Sequence, residues 1–199
     1  MMDNLLPEVA AARKSEYGID PIFLNRWSTR AFSSKAVKDE DLYGVLEAAH
    51  WAPSGSNEQP WRFIIAKTPE QRETFLQFIS PFNQEWCKEA PVLLLLLSRK
   101  VNEAGKASPS HALDAGTAWG YLALEATRRG LSTHAMGGFD RAAAQSALQV
   151  PEEYEPQIVI ALGYRGDENQ LSERNRSREI PNTRKPLSEI VFEGRFPQP

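Results

Sequence analysis

Six consecutive apolar residues, Val92-Leu93-Leu94-Leu95-Leu96-Leu97, form the longest apolar run in the chain. A bilayer span takes about 20 such residues, so this one is far too short to cross a membrane. A short run with no polar position has no face to offer to water. It predicts a buried central strand, although periodicity alone leaves a buried helical segment open.

The flanking pattern supplies the layers that such a strand requires. Leu42, Val45, Leu46 and Ala49 recur at helical spacing behind Asp39 and Glu40, which predicts a helix over about 39–51 that Pro53 ends. Trp61 to Ala66 reads as a strand. Thr68-Pro69-Glu70-Gln71 has the form of a capping box with proline at the first helical position, so a helix follows. Ser110 to Arg129 reads as a long helix, with Leu113, Ala118, Tyr121, Leu122 and Leu124 on its buried side and Gly130 as its stop. A short helix near 140–148 starts on Asp140 as N-cap, and Gln157 to Leu162 reads as a further strand. Intermixed helices and strands without strict alternation predict an α+β fold, with helices flanking a mixed sheet.

At 199 residues, with 41% hydrophobic and 25% charged content, one domain over 1–199 is expected. A net charge of −3 argues against general nucleic-acid binding while leaving room for a local basic pocket. A single cysteine, Cys87, forms no internal disulfide and suits a reducing cytoplasm. The first thirty residues mix Asp3, Glu8, Arg13, Lys14 and Glu16, which is no secretory segment. His50, His111 and His134 do not make metal spacing, and no metal site is expected. The chain has no P-loop, G-x-S-x-G or G-x-G-x-x-G, and no catalytic acid or base stands out.

Two stretches carry chemistry. Arg26-Trp27-Ser28-Thr29-Arg30 places two guanidiniums and a hydroxyl close together. Planar, permanently charged forks match phosphate oxygens, although a solvated charge cluster at a helix end has the same composition. Ala52-Pro53-Ser54-Gly55-Ser56-Asn57-Glu58-Gln59-Pro60-Trp61 is a breaker-rich loop of short polar side chains. It serves equally as a helix-ending turn. Together the two suggest a phosphorylated cofactor held between a helix end and a loop.

R-x-S-x-R followed by A-P-S-x-x-N-x-Q-P-W resembles the nitroreductase family of FMN-dependent oxidoreductases. Ala90-Pro91, Met136-Gly137-Gly138-Phe139-Asp140, Ile158 to Gly163-Tyr164 and Arg184-Lys185-Pro186-Leu187 follow in the family's order, over roughly residues 20–192. The resemblance implies a central mixed, mostly antiparallel sheet and a homodimer. It also implies that the polar stretch from about 167 to 199, which ends in Ile190, Val191 and Phe192, is a C-terminal arm exchanged between subunits. It implies FMN as cofactor, with Arg26, Trp27, Ser28 and Arg30 about the phosphate and nearby ring oxygens, and a second phosphate contact from Arg184 or Lys185. Pro53, Ser54, Gly55 and Asn57 would reach the flavin held mainly by the other subunit. Gly55 replaces a frequent serine, so any contact there is through backbone. Asn83 would lie on the ribityl side, with Trp86 where some members carry lysine. Asp114 would lie near the cofactor, although a lone acid on a helix is usually exposed. Met136, Gly137 and Gly138 would bring backbone toward flavin N5.

The activity so implied is hydride transfer from NAD(P)H through the flavin to a small oxidant such as a nitroaromatic or quinone, by ping-pong turnover. Other readings are a same-fold flavoenzyme of different chemistry (flavin fragmentation, dehalogenation, peptide tailoring), a non-catalytic flavin-binding sensor, and a structural module that binds no flavin.

Overall fold

The computed structural model describes residues 4–197; the first three and last two residues of the expected single domain lie outside them. In chain order its helices are α1 (Pro7–Ala10), α2 (Pro21–Asn25), α3 (Asp39–His50), α4 (Pro69–Leu76), α5 (Pro81–Cys87), α6 (His111–Arg128), α7 (Arg141–Ala147) and α8 (Glu173–Arg176). Its strands are β1 (Trp61–Ala66), β2 (Val92–Arg99), β3 (Ser132–Met136) and β4 (Tyr154–Gly163). They form one sheet in the order β1-β2-β4-β3. Every pairing in it is antiparallel, so the mostly antiparallel sheet expected has no parallel pair among the described residues.

The apolar run is the inner strand β2, buried on both faces. Leu93, Leu95 and Leu97 point into a core with Phe75, Phe78, Trp86 and Val159. Val92, Leu94 and Leu96 point the other way, among Leu42, Val45, Ala118, Leu122 and Ile160. Alternation along the strand therefore divides one apolar run between two cores. Each fully buried leucine stabilises the fold by about 1.5–3 kcal/mol relative to an exposed one. Helices α3 and α6 cover one face; α4, α5 and α7 contribute to the other.

Local signals fix the helix ends. Thr68 Oγ1 accepts from Gln71 N at 3.3 Å, and Gln71 Oε1 accepts from Thr68 N at 3.0 Å, completing the expected capping box. Asp140 caps α7 by accepting from Ala143 N at 2.9 Å. Gly130, at φ +72°, ends α6 in the left-handed conformation that glycine takes without steric cost.

Three expectations change. The buried stripe of α6 runs through Ala115, Ala118, Leu122 and Ala126, whereas Leu113 is 73% exposed and Tyr121 also faces out. Small alanines let α6 lie close against α3 and the sheet, so the larger side chains turn outward. The segments Ser132–Met136 and Pro81–Cys87 are a strand and a helix that the apolar pattern did not announce. Finally, the first part of the C-terminal region packs on its own chain. Asn175 Nδ2 donates to Glu85 Oε2 at 3.0 Å, Arg174 lies 4.1 Å over the Phe82 ring, and Asn175, Glu179 and Pro181 are buried. From Asn182 to Pro197 every residue is exposed, including Leu187, Ile190, Val191, Phe192 and Phe196. No helix among the described residues is long and apolar enough to cross a membrane.

Candidate functional site

The strap Arg26–Arg30 leaves α2 in extended conformation and runs beside the end of β4. Ser33 N donates to Tyr164 O at 2.9 Å and Gly166 N to Ala31 O at 2.8 Å. A Cβ on Gly166 would stand 2.5 Å from the Phe32 backbone, so only glycine admits this approach. Trp27 turns inward: its indole joins a small core with Val9 and Leu24 under the Arg165 guanidinium, 4.8 Å from the ring. Only its backbone faces outward chemistry. Ser28 is half-buried and its hydroxyl makes no hydrogen bond among the described residues.

Three guanidiniums gather at this strap. Arg13 Nη1 donates to Leu24 O at 2.6 Å and to Arg26 O at 2.8 Å, while its Nε donates to Asn182 O at 2.7 Å. It thereby draws the tail, two residues before Arg184, onto the end of α2. Burial first, and then the charge of Arg184, holds Arg26 below the ordinary arginine range. Arg13 is lowered by burial and then by Arg184 and Arg26. None of the three forms an ion pair among the described residues. Arg30, at the other end of the strap, has Glu179 and Arg178 as its charged neighbours; its Nε is buried without a hydrogen-bond partner, and its Nη1 donates to Arg178 O at 3.3 Å. Lys185 lies apart, 75% exposed and 3.8 Å from Glu189 Oε2. Arg13 escaped the sequence reading because it stands alone before any motif.

The strap is joined to β3 through His134, whose Nδ1 lies 2.8 Å from Thr29 O. Because that oxygen can only accept, the proton is on Nδ1. The ring packs against Trp86, with centroids 4.4 Å apart. Burial lowers the His134 pKa to about 4, against a partial rise from the Thr29 bond. Two residues on, Met136 is buried and ends β3; Gly137 and Gly138 are exposed. A Cβ on Gly138 would meet Asn83 Nδ2 at 2.8 Å and Ser80 Oγ at 3.1 Å, whereas a Cβ on Gly137 meets nothing within 4 Å. Asn83 lies inside α5, and its Nδ2 donates to Gly138 O at 3.2 Å.

A second group forms elsewhere. Asp114 is 6% exposed, against the expectation for a lone helical acid, and its Oδ2 accepts from Gly55 N at 3.2 Å and from Ser110 Oγ at 3.0 Å. A Cβ on Gly55 would press on Ser110 Oγ at 2.9 Å, and the Gly55 amide is already committed to Asp114. Ser54 Oγ accepts from Gln59 N at 3.0 Å. Ser56, Asn57 and Gln59 hold φ of +50°, +57° and +47°. Left-handed backbone at non-glycine residues costs on the order of 1–3 kcal/mol each and persists where the surroundings impose it. No hydrogen bond or ion pair joins Pro53–Asn57 or Asp114 to the strap, Asn83 or Gly137 among the described residues.

Other chemistry-bearing groups are occupied. Cys87 is buried, which pushes its thiol up to about 12 and leaves it inert. His111 Nδ1 is 2.7 Å from the buried Ser98 hydroxyl. Among the described residues no cluster of His, Cys, Asp and Glu could hold a metal.

Residues 24–83 and 78–164 match the family model described as the nitroreductase family. The chain belongs to that family. A nitroreductase-family match over these residues takes in the strap, the Pro53–Asn57 loop, Asn83 and Met136–Gly138, and leaves Arg13 and Arg184 outside it. Among solved structures, one described as an oxidoreductase containing FMN is 42% identical, covers 93% of this chain and 96% of its own, and superposes with a TM-score of 0.89. An NADH dehydrogenase of Thermus thermophilus is 29% identical over 201 residues, covering 85% of this chain and 92% of its own length. An iodotyrosine deiodinase of Thermotoga neapolitana is 28% identical over 173 residues, covering 75% and 90%.

His134 generates a pH prediction. Unfolded histidine takes up a proton near 6.5, whereas folded His134 resists until about 4. The stability that the neutral ring contributes is thus present above 6.5 and lost as pH falls toward 4, by about 3 kcal/mol. Urea unfolding across this window should show a steeper loss in the wild type than in His134→Asn; parallel profiles would show that His134 does not titrate in this way.

Proposed function

We propose that this chain is an FMN-dependent oxidoreductase that transfers hydride from NAD(P)H to a small oxidant such as a nitroaromatic or quinone. The observation that carries the reading is the gathering of Arg13, Arg26 and Arg184, with no ion pair among the described residues, on a strap that also carries the unpartnered Nε of Arg30. Folding brings uncompensated cations together at a free-energy cost, and a doubly charged phosphate offsets that cost. Gly137 adds a second fit: nothing in its own chain requires the missing side chain, as a close-lying flat ligand would. The FMN-containing relative at 42% identity supports the same cofactor.

In this reading Arg26, Ser28, Arg30 and Arg184 hold the phosphate, and the partial burial of Arg26 and Arg30 strengthens their charge-assisted bonds. Lys185 is left as a solvated cation. When bound, FMN supplies hydride chemistry, and one open face serving both NAD(P)H and the oxidant gives ping-pong turnover. Met136, Gly137 and Gly138 present backbone to that face, and Asn83 fixes Gly138. No side chain is assigned as general acid or base.

The second residue group points to a partner subunit. Pro53–Asn57 is held by Asp114 in a strained shape with no ligand contact of its own chain to explain it, so we assign it to the cofactor of a second copy. Exposed Trp51 on the flank of α3, Leu113 and Tyr121 on α6, and the apolar residues of the tail from Leu187 to Phe196 supply area for a homodimer with an exchanged arm. The inert Cys87 fits a cytoplasmic setting. The deiodinase relative makes reductive dehalogenation a second reading of the same site.

The absorbance spectrum of purified protein, followed by anaerobic titration with NADH and NADPH, tests the proposal. Flavin bands that bleach on titration are expected; a protein that stays colourless after FMN addition overturns it, and flavin that no reductant bleaches makes it a binding protein. An acceptor panel including iodotyrosine separates the two chemistries. Arg26→Ala should weaken FMN by roughly 1.5–3 kcal/mol, about tenfold to a hundredfold, and riboflavin far less. Equal losses would remove Arg26 from the phosphate. Sedimentation should give a dimer, and truncation after Asn182 should weaken it and release flavin; a flavin-loaded monomer contradicts the shared site. Because Gly137 has space around it, Gly137→Val should leave the melting temperature near wild type and slow NAD(P)H oxidation. An unchanged rate in flavin-loaded protein would take Gly137 away from the flavin face.

A further inference from the structure

The strap is held by a carboxylate that lies far away in sequence. Glu179 is 4% exposed and sits beneath residues 29–31. Its Oε1 accepts from the Thr29 hydroxyl and, at 3.2 Å, from Ala31 N; its Oε2 accepts from Arg30 N at 2.7 Å. Thr29 Oγ1 also accepts from Ala31 N at 3.1 Å. Across the strap, His134 holds Thr29 O. The peptide plane before Arg30 is thus held from both sides and the one after it through Ala31 N, and with them the direction in which the Arg30 side chain leaves the backbone. A buried carboxylate accepting two successive amides is a strong, directional restraint.

The same short segment braces the opposite wall. Asn175 bonds Glu85, and Arg174 covers Phe82, both on α5. That helix carries Asn83, which holds Gly138. Residues 174–179 therefore act as a strut between the phosphate strap and the Gly137–Gly138 face. Glu179 itself is not free to be a ligand: both of its oxygens are used on backbone and on Thr29.

We infer that Glu179 is a positioning residue for the cofactor phosphate, acting through the Thr29–Ala31 backbone to aim Arg30 and to hold the strap against its own crowded cations. The inference rests on the flavin reading above. Replacing the carboxylate by an amide turns one acceptor into a donor that faces an N–H, so the strap must shift. Replacing it by the shorter carboxylate keeps acceptance and charge at a worse distance.

Flavin-stripped protein is titrated with FMN and with riboflavin by flavin fluorescence, for the wild type, Glu179→Gln, Glu179→Asp and Thr29→Val, alongside each melting temperature. Glu179→Gln should raise the FMN Kd by about tenfold or more and the riboflavin Kd by less. Glu179→Asp should fall between it and wild type, and Thr29→Val should move FMN in the same direction by a smaller factor. A folded Glu179→Gln that binds FMN within about twofold of wild type, or loses both ligands equally, overturns the role and leaves Glu179 purely structural. If Glu179→Gln does not fold, unchanged FMN affinity in both of the other variants overturns it. A wild type that fails to bind FMN overturns the flavin reading itself, and this role with it.

Discussion

The complete burial of β2 governs the architecture. A strand with no polar position on either face has to be covered twice, and α3 and α6 on one side and α4, α5 and α7 on the other do this. With both faces occupied by packing, polar chemistry is displaced to the margins of the sheet: the end of β3, the segment after β4, and the loop between α3 and β1. Both candidate residue groups lie at such margins. The fold positions them by what it leaves uncovered.

The strap group combines opposite electrostatic tendencies. Arg13, Arg26 and Arg184 are brought together by bonds from Arg13 to three carbonyl oxygens, which satisfy the donor but leave its charge uncompensated. Glu179, the buried carboxylate beneath the strap, spends its acceptors on the Arg30 and Ala31 amides and the Thr29 hydroxyl, and its charge bears on Arg30 rather than on these three. The backbone is thereby held in place while Arg13, Arg26 and Arg184 form no ion pair among the described residues. Such an arrangement costs stability in the free protein and favours an anion of matching shape.

Much of this was legible in the sequence. Capping residues, the apolar run and the helical spacing of α3 are local signals, and the structure follows them closely. The R-x-S-x-R strap and the glycine pair were also visible, because their chemistry is concentrated in a few adjacent residues. What escaped notice was non-local or inverted. Glu179 and His134 act on Thr29 from distant parts of the chain, and Arg13 resembles any surface arginine until the fold closes on Asn182. Asp114 reads as a lone helical acid because one of its partners, the Gly55 amide, is 59 residues away in sequence. The buried stripe of α6 was misread because its alanines carry a weaker pattern than the leucine and tyrosine facing outward.

The tail is anchored at Glu179 and, through Asn182 O, at Arg13, with fifteen described residues beyond Asn182 up to Pro197. At full extension they reach about 50 Å. A compact chain of 199 residues has a radius of gyration of about 16 Å, hence a width of about 40 Å. These residues are therefore enough to lie across the whole breadth of a body of that size. Shortening the tail by four residues would remove about 13 Å of that reach, bringing it down to about that width.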